Sequence, residues 1–173
     1  MVPASRGGGA GMSSDTVVRE RLFRGALQAL DNTFSCVFRK HAGSTESPIE
    51  AALLESLIFY DWCSNGQMTN VNGDPGNSCW HVTTQARIDE YRVDFLLICT
   101  VWNVSVVIEC DGHEFHERTK EQAQRDRSRD RTLQAMGYLV LRFTGSEIWR
   151  DPWGCAEQIA GSIYQYAYKR GCA

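Results

Sequence analysis

Apolar positions along this chain follow two periodicities, and the switches between them lay out its elements. Val17, Val18, Leu22, Phe23, Ala26 and Leu30 recur at three- and four-residue steps, with Arg19, Arg21 and Arg24 largely on the other side, which predicts an amphipathic helix from Asp15. The Gly-, Ala- and Ser-rich stretch before it, Met1 to Ser14, lacks the apolar content for a core and reads as a disordered tail. A break follows through His41 to Thr45. Ser47-Pro48-Ile49-Glu50 then marks a helix start: Ser47 as N-cap, Pro48 at the first helical position and Glu50 completing a capping box. This helix should run to about Trp62 and bury Ile49, Leu53, Leu57 and Tyr60. Ser64 to Ser78, with three Gly, four Asn and one Pro, reads as a long loop.

The period then changes to two. Trp80 to Ile88, Tyr91 to Thr100 and Val104 to Cys110 are predicted strands, and the short spacers Asp89-Glu90 and Val101 to Asn103 favour antiparallel hairpins. A polar helix follows from about His116 to Met136, closed by Gly137. Tyr138 to Phe143 is a fourth strand, reached through a helix and so expected beside a parallel neighbour. Ser146 to Arg150 reads as a helical turn and Trp153 to Lys169 as a final helix. The order predicts an α/β fold, a mixed central β-sheet flanked by α-helices. Its expected divisions are a tail at 1–14, an N-terminal helix and linker at 15–46, and an α/β domain at 47–173.

Composition narrows this picture only a little. The 173 residues suffice for one domain with a core, and no apolar run approaches the roughly 20 residues that span a bilayer. No signal-peptide stretch opens the chain. Seven cysteines, an odd count without a C-x-x-C pair, read as reduced thiols in a cytoplasmic protein. A zinc site using His41 or His81 has little support in the spacing. The net charge of −3 argues against a general nucleic-acid binder, but an acidic catalytic centre would itself contribute to it.

The candidate chemistry lies in the second and third strands. Side chains alternate faces along a strand, so Val107, Glu109 and Asp111 share one face of the third, with Val106, Ile108 and Cys110 on the other. In the second, Arg92, Asp94 and Leu96 share a face opposite Val93, Phe95 and Leu97. The fifteen positions from Asp94 to Glu109 fit a hairpin that sets the two acids side by side. Crowded carboxylates repel one another unless a cation compensates, and an oxygen-rich site suits Mg²⁺, with Mn²⁺ as substitute. The competing reading is structural: Asp94 salt-bridged to Arg92 or Arg142, and Asp111-Gly112 opening a turn. Glu109 resists it most, because it ends the apolar run Val-Ser-Val-Val-Ile.

The ordered strings Tyr91-Arg-Val-Asp94-Phe, Val-Ile-Glu109-Cys-Asp111-Gly112-His113, Arg125-Asp126-Arg-Ser-Arg129-Asp130 and Gly137-Tyr-Leu-Val-Leu-Arg142-Phe143 resemble the PD-(D/E)XK nuclease superfamily. More closely they resemble a bacterial branch related to the very-short-patch mismatch-repair endonuclease. The resemblance implies a restriction-endonuclease-like core. It implies Asp94 and Glu109 as metal-binding acids, Glu50 as the acid on the preceding helix, and Arg129-Asp130 as a recurrent pair in which Arg129 is the best basic candidate. It departs at one position, because Asp111 stands where the motif has lysine. Asp111 could be a further metal ligand, while the missing base or cation could come from His113, His116 or Lys120. Arg125 and Arg129, four apart on one helical face, could touch phosphate; most other charges of that helix fit a solvated, self-paired surface.

These readings lead to a metal-dependent endonuclease. Its expected catalytic set is Glu50, Asp94, Glu109, Asp111, His113 and His116, with metal on Asp94, Glu109 and Asp111. Lys120, Arg125 and Arg129 are expected to contact nucleic acid, DNA rather than RNA. The rival is a nuclease-fold protein that binds nucleic acid without turnover. A homodimer or a partner protein could supply specificity, and no membrane is implied.

Overall fold

The computed structural model describes residues 43–66, 69–73, 78–112 and 120–172, all within the compact unit His41–Ala173. The predicted helix from Asp15 lies outside them, as do His41, His113 and His116. Nine elements follow in order: α1 (Pro48–Asn65), β1 (Asn70–Val71), β2 (Trp80–Ile88), β3 (Tyr91–Cys99), β4 (Val104–Asp111), α2 (Lys120–Ala135), β5 (Leu139–Thr144), α3 (Gly145–Arg150) and α4 (Pro152–Lys169).

The sheet order is β1-β2-β3-β4-β5. β2, β3 and β4 form the two expected antiparallel hairpins, and β5 lies parallel to β4 after the α2 crossover. This is a mixed five-stranded sheet with flanking helices, the fold class expected from the sequence. One correction falls in the supposed loop Ser64 to Ser78: Asn70 and Val71 form a short edge strand parallel to β2. Asn72 anchors it there, with its side chain bonded to the Thr84 amide and hydroxyl.

Helix α1 begins as its sequence dictates, with Ser47 Oγ accepting from the Glu50 amide and Pro48 in the first turn. It runs past Trp62 to Asn65, where Gly66 adopts φ 66° and closes it. Leu53, Leu54, Leu57 and Ile58 are buried, whereas Ile49 and Tyr60 are only half-buried. Asp61 is also fully buried on this helix, held by Asn65 and Thr69. α1 and α4 pack together on one side of the sheet, where α4 also touches β4 and β5. On the α2 side, Leu133 packs with Val107, Val93, Ala86 and Ile88.

That second cluster corrects a face assignment. Val107 stands opposite Leu96, so strict alternation would put Val93 on the other side with Phe95. Val93 nevertheless joins Val107. Alternation resets at Asp94 and its neighbour across the hairpin, Gln85. The β2–β3 register skips this pair, and Gln85 sits at φ 51°, a left-handed conformation that costs of order 1 kcal/mol outside glycine. Strand distortion is thus concentrated at the predicted acidic centre.

Candidate active site

Asp94, Glu109 and Asp111 meet at one end of the sheet because β3 and β4 part there. Their ladder ends at Phe95 opposite Ile108. The next amide, Cys110 N–H, donates to Asp94 Oδ2 at 2.7 Å instead of to a backbone carbonyl. This bond clamps Asp94 against the end of β4. Burial pushes the Asp94 carboxyl above its usual range despite the Cys110 amide, and Glu50 and Asp111 push it the same way.

Glu109 and Asp111 are each 7% exposed. Burial raises the Glu109 pKa to about 7 against the attraction of Arg129, and the charge of Asp94 adds to the rise. A carboxylate with this proton affinity is poorly solvated and would gain from an added cation.

Two arginines reach this centre from other elements. Arg129 of α2 sets Nη2 2.6 Å from Glu109 Oε1, and also donates to the Arg92 carbonyl. Its guanidinium lies 5.8 Å from the centre of the Tyr91 ring, within cation–π range. Arg142 of β5, level with Glu109 in the parallel register, sets Nη1 3.2 Å from Asp111 Oδ1. Asp130 grips Arg142 through both carboxylate oxygens, at 2.8 to 3.2 Å. These acids raise the Arg142 pKa further, against the effect of burial. The salt bridge considered for Asp94 is thus not the one formed: among the described residues Arg142 pairs with Asp111, for which a turn was the structural alternative, while Asp94 takes the Cys110 amide.

Glu50 arrives from the N-terminus of α1 and is 6% exposed. Its Oε1 accepts from Ser47 Oγ at 2.7 Å, and its Oε2 accepts from the Glu46 amide and from Gln85 Nε2 at 2.8 Å. The reciprocal capping bond expected at Ser47 N–H thus goes one residue earlier, to Glu46. The Gln85 bond ties Glu50 to the strained point of β2, and its charge is felt at Asp94.

The structure therefore brings together Glu50, Asp94, Glu109, Asp111 and Arg129. Arg125 is exposed on α2 one turn before Arg129 and makes no bond to the acids among the described residues. Lys120 opens α2, but its side chain lies outside the described residues, as do His113 and His116. Sequence reasoning missed the Arg142–Asp130 pair and Gln85 as parts of the site. The polar Arg142 inside the apolar string Tyr-Leu-Val-Leu was the available signal.

Among the described residues, no three Asp, Glu, His or Cys side chains stand as a ready ligand set. The donors present are nevertheless the hard oxygens that Mg²⁺ prefers: Glu109 and Asp111 are buried, Asp94 is half-buried, and the charge of Asp111 raises the proton affinity of both Asp94 and Glu109. In this respect Asp94, Glu109 and Asp111 fit a divalent ion.

The chain belongs to the REase_MTES_1575 family, a restriction-endonuclease-like family whose match spans residues 76–163, just over half of the chain. The match contains Asp94, Glu109, Asp111, Arg129, Asp130 and Arg142; Glu50 precedes it. No curated protein and no solved structure matches the chain. The family places the protein among nucleases. No helix among the described residues is long and apolar enough to cross a membrane.

Proposed function

We propose that this protein is a Mg²⁺-dependent endonuclease acting on nucleic acid, DNA in preference to RNA, of a branch related to the very-short-patch mismatch-repair endonuclease. The observation that carries the reading is the convergence of half-buried Asp94 and buried Glu109, two carboxylates with raised proton affinity, where β3 and β4 part. Asp94 and Glu109, with Asp111, would hold the ion. When bound, it supplies an activated water and offsets charge developing on phosphorus. The chain's own residues do the positioning. Cys110 N–H aims Asp94, Arg142 aims Asp111, and Gln85 secures Glu50 beside them. His113 or His116 would serve as the proton-transfer group, since no lysine stands at position 111. The lack of a disulfide among the described residues fits a cytoplasmic setting, and specificity would come from a homodimer or partner protein.

Nicking of supercoiled plasmid with Mg²⁺ or Mn²⁺ tests this reading. The wild type should nick, and the Asp94→Ala/Glu109→Ala variant should lose at least about 100-fold in rate, as expected when groups organising the reaction are removed. Equal activity of the two proteins with both metals would refute it. A second reading, binding without turnover, draws on one observation: both Glu109 and Asp111 already carry arginine partners. It predicts retained DNA binding and no nicking.

A further inference from the structure

The two arginines at the carboxylates are held very differently. Arg142 is gripped at Nε and Nη2 by Asp130, and its other bond among the described residues is to Asp111. Arg129 has no such anchor among the described residues. Only its Nη2 bonds, to Glu109 and to the Arg92 carbonyl, while its buried Nε finds no acceptor among the described residues. A guanidinium offers five donors, so this one is held at Glu109 with its fork unsatisfied. Its side chain keeps 22% exposure, against 9% for that of Glu109, which leaves it a path to solvent. It also lies one helical turn after the exposed Arg125, on the same side of α2.

The geometry points to Arg129 as an exchanging cation. It occupies Glu109 when no divalent ion is present, yields that carboxylate when one binds, and then takes up a phosphate of the nucleic acid. This rests on the metal-dependent reading above and adds a coupling between metal and polymer. The charges support it. A cation on Glu109 repels the guanidinium, while phosphate offers the bidentate partner that Glu109 does not provide. Anchored Arg142 cannot make this exchange without abandoning Asp130.

Two measurements on the full chain test the exchange. Calorimetric titration with Mn²⁺ should show R129Q binding about 5- to 10-fold more tightly than wild type, because the ion no longer displaces a partner or meets its charge. R129K, which keeps a weaker competitor, should bind about 2- to 3-fold more tightly; it carries the same test should R129Q melt below the assay temperature. The second measurement is the salt dependence of binding to a short DNA duplex. With Ca²⁺ the slope of wild type should exceed that of R129Q by about 0.9, one phosphate's worth, and without a divalent ion the slopes should coincide. Absence of Mn²⁺ binding by wild type would overturn both the metal reading and the exchange. Wild-type binding with no tightening in either variant would overturn the exchange alone. So would a slope difference that persists without Ca²⁺, which would place Arg129 on phosphate at all times.

Discussion

Glu109 offers the sharpest test of the site's electrostatics, because its ionisation is coupled to folding. In the folded, metal-free chain its pKa is about 7, against a usual 4.5. The folded protein thus binds this proton more tightly than the unfolded chain does. The resulting stability is fully present below about pH 4.5 and is lost as pH rises through about 7. At about 1.4 kcal/mol per pH unit, the gap corresponds to about 3 kcal/mol. Replacing Glu109 with Gln mimics the protonated side chain and removes the loss. In a chelating buffer at pH 8, urea unfolding should find Glu109→Gln more stable than wild type by about 1–3 kcal/mol. At pH 5 the difference should shrink to within about 1 kcal/mol, since wild-type Glu109 is then almost fully protonated in the folded state. The acid must be replaced by an isostere, because truncation would open a cavity and orphan Arg129. A Glu109→Gln variant no more stable than wild type at pH 8, or one whose gain is the same at both pH values, would refute the reasoning. It would mean that the Arg129 pair outweighs burial.

Asp130→Asn should leave Arg142 without its bidentate anchor, lowering stability by about 1–2 kcal/mol and nicking by about 10-fold, read by thermal melts and plasmid assays. Leu133→Ala should cost about 2–4 kcal/mol in urea unfolding with an unchanged m-value, because this fully buried side chain joins α2 to Val107 and Val93; a loss under 1 kcal/mol would show that the cluster does not tie α2 to the sheet. Ser47→Ala should cost about 1 kcal/mol through loss of the α1 cap, and it also removes one donor from Glu50, so a fall in nicking at a temperature where the variant is fully folded would mark Glu50 as functional.

Much of the site was legible in local pattern. The Ser47-Pro48 start of α1, the period-two runs of β2, β3 and β4, and the hairpin that carries Asp94 and Glu109 just past its last paired residues all follow from backbone geometry, which repeats over a few residues. The sequence could also place Asp111 on the Glu109 face and show that the expected lysine was missing. What it could not decide was which charges meet. Arg129 reaches Glu109 across 20 positions, Arg142 reaches Asp111 across 31, and Gln85 reaches Glu50 across 35. Those contacts depend on how α2 is rotated over the sheet, on β5 lying beside β4, and on where the N-terminus of α1 docks. Long side chains add several rotatable bonds to each of these choices. The change of alternation at Asp94 and Gln85 likewise needs both strands in place, because the departure of Gln85 from ordinary strand geometry is sustained by its bond to Glu50 on a distant helix. Sequence by itself determined the described elements other than β1 and which acids could lie near one another; tertiary structure alone decided their partners, because partnership is set by packing distance and not by separation along the chain.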